Sequence, residues 1–104
     1  MSHETSKATV RLGSRDDLFA LVGEGVLVLD ETEVDGRFFD LRTGFAGDVL
    51  QTCVNYGLRL AVVVADPARH GERFVELVRE HRSHRVVRFP ASRAEAEAWA
   101  GRDR

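Results

Sequence analysis

Asp40, Arg42, Thr43 and Gly44 place a carboxylate, a guanidinium, a hydroxyl and an unbranched backbone position in one stretch, RFFDLRTGFAGDVLQ, residues 37–51. A hydroxyl at the start of a helix, beside an arginine and free backbone N–H groups, suits an anion. A phosphate on Thr43 would carry a charge of about −1.5 to −2, which the positive end of a helix favours. The same residue types also make an ordinary N-terminal cap. Two more carboxylates, Asp30 and Asp66, end the apolar runs VLVLD and LRLAVVVAD. Asp40 and Asp66 would serve as a general acid and base if the chain brought them together, and turns also favour aspartate at such places.

The remaining reactive residue types read as structural. Cys53 lies on an apolar helical stripe with no base beside it, and a single cysteine builds no disulfide framework and fits a reducing compartment. His81 and His84 stand three apart at a helix end, with His70 a helix away and no cysteine among them, which argues for helix-end solvation over zinc. Trp99 reads as packing. There is no P-loop, no dinucleotide fingerprint and no GxSxG elbow, so no cofactor, metal or catalytic residue is assigned.

The elements that must hold these residues follow from periodicity. ATVRLGS (8–14) reads as a short first strand, and Ser14 caps a helix with Leu18, Phe19, Leu21 and Val22 on its buried stripe before Gly23 and Gly25 end it. VLVLD and LRLAVVVAD are apolar on both faces, as strands inside an α/β sheet are. The pair Phe38-Phe39 is expected to be extended. Phe45, Ala46, Val49, Leu50, Cys53 and Val54 recur at helical spacing after Thr43, and Gly57 supplies the C-cap. A helix within 71–83, a strand at 85–89 and a last helix with a Ser92–Glu95 capping box complete the order β-α-β-α-β-α-β-α. The expectation is one small α/β domain over 8–104, with a four-stranded, largely parallel sheet and a tail at 1–7. In such a sheet the strand exits and the helix starts share one ligand-favouring edge, which selects Asp30, Asp40, Arg42, Thr43, Gly44 and Asp66.

Bulk properties narrow the class. The chain has 104 residues, 43% hydrophobic and 31% charged, and no apolar run near the roughly 20 residues of a membrane span. The opening MSHETSKAT has no signal-peptide pattern, so a cytoplasmic protein is expected. Residues 1–67 carry six basic and eleven acidic side chains, whereas 68–104 carry nine arginines against six acids. Glutamates 72, 76 and 80 interleave with those arginines and no stacking aromatics accompany them, which argues against nucleic acid.

FFDL-x-TG-x-AG-x-x-LQ followed by NY-x-x-x-LA, over about residues 11–99, resembles the bacterial domain of unknown function 4180 family. After the third strand the chain has VADPARHG where that family has a Gly-Asp-Phe-like turn. At greater distance the segment is similar to STAS domains of sulfate transporters and anti-sigma-factor antagonists. That resemblance implies a STAS-like fold and sets Thr43-Gly44 where the phosphorylated Ser-Gly stands, with Asp40 one residue further away than in that pattern. It implies a regulatory module that binds a protein partner. The alternatives are a small-molecule binder or cofactor-free enzyme using Asp40, Arg42 and Asp66 on the same edge, and a homodimer scaffold.

Overall fold

Both apolar runs without a polar face fold as strands, and each is covered on two sides. In a computed structural model of the protein, residues 10–21 and 26–102 are described. The order is α1 (Asp16–Leu21), β1 (Val26–Asp30), α2 (Phe45–Tyr56), β2 (Arg59–Val63), α3 (Glu72–Glu80), β3 (Val87–Arg88) and α4 (Arg93–Arg102). The strands form a parallel sheet in the order β1-β2-β3, with Val26 opposite Arg59, Asp30 opposite Val63 and Leu60 opposite Val87.

Alternation along the central strand divides the core. Leu60, Val62 and Val64 join Leu27 and Leu29 against the apolar sides of α2 and α3, with Val49, Cys53 and Phe74 fully buried among them. Ala61 and Val63 point to the opposite face, where Ala96 and Trp99 of α4 cover them. Alanine on both sides of that contact lets α4 lie close to the sheet. An aromatic cluster closes the main core, Phe38 and Phe74 each packing on Phe89 with ring centroids 6.1 and 5.5 Å apart. Such tilted and edge-on contacts are the favoured aromatic geometries.

Several expectations are corrected. The sheet has three strands among the described residues; Leu12, in the expected first strand, makes only an isolated parallel bridge to Val34. Residues 8 and 9 of that stretch, and Val22, Gly23 and Gly25, lie outside the described residues. Ser14 does not cap α1 with its hydroxyl; Asp17 instead accepts from the backbone N–H of Gly13 and Ser14 at 2.8 and 3.1 Å. Phe38 and Phe39 are not extended but sit in a 3-10 turn, Gly36–Phe39. Phe19 and Val54 are about half exposed, one position off their helices' buried sides.

Candidate functional site

The loop from β1 to α2 is built by one residue type repeated. Asp30, Asp35 and Asp40 each open a 3-10 turn by accepting from the backbone N–H two residues on, at Thr32, Arg37 and Arg42. A short carboxylate competes well for nearby backbone donors, so aspartate at a spacing of five folds the segment into successive tight turns. Arg37 and Arg42 return to the aspartates that cap their own turns, Nε to Oδ1 at 3.0 Å in both cases. Arg42 also donates through Nη2 to Asp40 Oδ2 at 3.1 Å, a two-pronged contact. The bonds from Arg42 hold the Asp40 carboxyl below its usual range.

Thr43 ends the last of these turns, and its side chain lies at a junction. Oγ1 is 2.8 Å from the Arg37 carbonyl oxygen and 2.9 Å from that of Asp40, the two acceptors between which its single proton is shared. The same oxygen accepts from Phe45 N–H, the first donor of α2, at 3.2 Å. Gly44, at φ +81°, takes the left-handed conformation that lets the turn enter the helix. Thr43 therefore ties two turns to α2 while remaining exposed at the surface.

The loop after β2 meets these turns. His70 stacks on Phe39 with centroids 4.1 Å apart, and the edge of Phe74 abuts it. Its Nε2 faces Glu31 Oε1 at 3.7 Å, too long for a hydrogen bond. Both atoms are buried and neither has a hydrogen-bond partner. The second oxygen of Glu31 receives Arg69 Nη1 at 3.2 Å. An open cleft of about 440 Å³ lies alongside, lined by His70, Gly71, Glu72 and Arg73 on one wall and Phe39 to Arg42 on the other.

The expected residues divide as follows. Asp40 and Arg42 reach the cleft, with Thr43 and Gly44 next in the chain. Asp30 is engaged with the Thr32 backbone and hydroxyl. Asp66 is exposed, starts the 3-10 turn Pro67–His70 without a side-chain cap bond, and has no hydrogen bond or ion pair to Asp40. Glu31 was missed in the sequence, and His70 was weighed there only as a zinc ligand; they stand 39 positions apart and neither matches a motif.

His81 and His84 are held by the backbone. His81 Nδ1 donates to the Leu77 carbonyl at 2.9 Å, while His84 Nδ1 accepts from the N–H groups of Val86 and Val87. The one lone pair of a neutral His84 is thus already used. No group of three or more metal-ligating side chains occurs among the described residues. Cys53 is fully buried, and burial pushes its thiol up to about 11.

A family model, Domain of unknown function (DUF4180), matches residues 4–100, and the chain belongs to that family. No curated protein and no solved structure matches the chain. No helix among the described residues is long and apolar enough to cross a membrane.

Proposed function

We propose that this member of the DUF4180 family is a STAS-like regulatory module that binds a protein partner through the carboxyl edge of its sheet, with Thr43 as the position that switches it. The observation that carries this reading is the placement of one exposed hydroxyl between two turns and a helix start. Phosphorylation replaces the hydroxyl hydrogen. The modified side chain then presents negative oxygens to the carbonyls of Arg37 and Asp40, where attraction becomes repulsion. The turns carrying Phe38 to Arg42 separate from α2, so the partner surface changes shape as well as charge. The open form of the neighbouring cleft also suits a partner surface better than an enclosing small-molecule pocket.

Mass spectrometry of the protein from its host, with partner capture by wild type, Thr43→Ser, Thr43→Ala and Thr43→Glu, tests the switch. The expected result is phosphate on Thr43, a partner retained by wild type and Thr43→Ser, and its loss with Thr43→Glu. Identical captures by wild type and Thr43→Glu would exclude it.

A further inference from the structure

β3 is the outer strand of the sheet beside β2, and its register decides which backbone groups it leaves open. Leu60 N–H and Val64 N–H donate to the carbonyls of Val86 and Pro90, at 2.7 and 2.9 Å. The even-numbered residues of this stretch therefore turn their backbone groups toward β2, and Val87, Phe89 and Ala91 turn theirs to the outer edge. At both ends that edge is occupied: Val87 N–H is taken by His84 Nδ1 at 3.1 Å and Ala91 N–H by Glu95 Oε1 at 3.2 Å. Between them, Phe89 N–H and C=O have no hydrogen-bond partner among the described residues.

Phe89 lines an open groove of about 460 Å³. The last turn of α3 forms one wall with Val78 and Arg82, and α4 forms the other with Ala98 and Trp99, because the two helices cover opposite faces of the sheet. Its charge is one-sided. Residues 81–94 hold four arginines and no acid. Arg88 is fixed in the groove, Nε donating to the His84 carbonyl at 2.6 Å and the guanidinium lying 5.3 Å from the centre of the Trp99 ring, and Arg82 is exposed. Neither has an ion pair among the described residues, whereas Glu95 already accepts from Ala91 N–H. A second copy at this edge would set arginines against arginines, which argues against a dimer through it. An extended acidic segment meets no such obstacle. One residue of an antiparallel strand can exchange both backbone bonds with Phe89, and carboxylates on the neighbouring residues can meet Arg82 and Arg88. We propose that the open edge at Phe89 is a docking groove for an extended, acidic peptide segment of a partner protein, added to the sheet as a further strand. The groove shares no lining residue with the cleft beside Arg42, so its test stands apart from that of the Thr43 switch.

Fluorescence anisotropy of the full chain with a short labelled peptide alternating glutamate and valine tests this, beside a lysine–valine counterpart and two versions N-methylated at alternate residues in either phase. The expected result is saturable binding of the acidic peptide and none of the basic one. One methylated version should lose binding and the other keep it, since only alternate N–H groups of an added strand face the sheet. Amide hydrogen exchange at Phe89 should slow when the peptide binds. Arg82→Glu should weaken binding about tenfold, and Ala98→Trp, at an exposed groove position, should block it. Arg15→Glu, the same charge change at an exposed arginine outside the groove, should leave binding within about twofold of wild type. Equal binding of the two methylated versions, unchanged exchange at Phe89, or equal losses with Arg82→Glu and Arg15→Glu would overturn the proposal. So would tighter binding of a single-stranded oligonucleotide than of the acidic peptide, or no saturable binding at millimolar peptide.

Discussion

At the scale of single residues, backbone partners decide what His81 and His84 can do, and burial decides for Cys53. His84 accepts two N–H groups that lead into β3, so a proton on Nδ1 would cost both bonds. Burial, His81 and Arg88 all lower its tendency to take one. The unfolded chain binds that proton more readily, so stability is full above the free imidazole value of about 6.5 and is lost as pH falls below it. Thermal unfolding at pH 7.5 and pH 5.5 should show this loss, and His84→Asn, which keeps an acceptor but does not titrate, should lose less. Cys53 behaves in the opposite sense. With its thiol near 11 and no solvent contact, alkylation at pH 8 should be negligible in the folded protein and rapid in denaturant, and fast labelling of the native state would contradict the buried geometry. The core role of Cys53 was legible from its place on the apolar stripe. The locked tautomers of His81 and His84 were not, because carbonyl and N–H partners leave no trace in side-chain spacing.

At the scale of elements, the turn that admits α2 depends on two neighbouring residues for different reasons. Thr43→Ala removes a hydroxyl that bonds three backbone groups and should cost about 1 kcal/mol, whereas Thr43→Ser keeps the hydroxyl and should recover most of it. Gly44→Ala meets no neighbour but forces a Cβ into the left-handed region, and should cost about 1–2 kcal/mol in urea unfolding. Equal stability of Gly44→Ala and wild type would mean that the turn can be rebuilt. The helix itself was legible because its apolar residues repeat with helical period and a glycine ends it. The turns before it were not, since Phe38-Phe39 reads as extended by residue preference, while Asp35 and Asp40 win the local backbone donors and curl the chain. A carboxylate every five residues was the overlooked signal.

At the scale of the whole molecule, a three-stranded sheet leaves little surplus core. Phe38 is fully buried and touches Phe39, Phe45 and Phe89, so Phe38→Ala should cost about 3–5 kcal/mol against a total stability of about 5–15 kcal/mol. A melt within a few degrees of wild type would show that the aromatic cluster is not the centre of the fold. Parallel alternation was legible in the apolar runs, but not the strand count. Leu12 finds only one bridge: its N–H donates to the Glu33 carbonyl and its carbonyl accepts from Asp35 N–H, while the N–H of the next residue, Gly13, is taken by the Asp17 carboxylate. What the sheet does accomplish is to bring the exits of β1 and β2 and the entry to α2 to a common edge. Partner capture compared among wild type, Arg42→Glu at that edge and Arg85→Glu at the opposite one tests this most directly, since both arginines are exposed. Loss of the partner with Arg42→Glu and its retention with Arg85→Glu are expected; loss with Arg85→Glu alone would put the partner surface at the other end of the sheet.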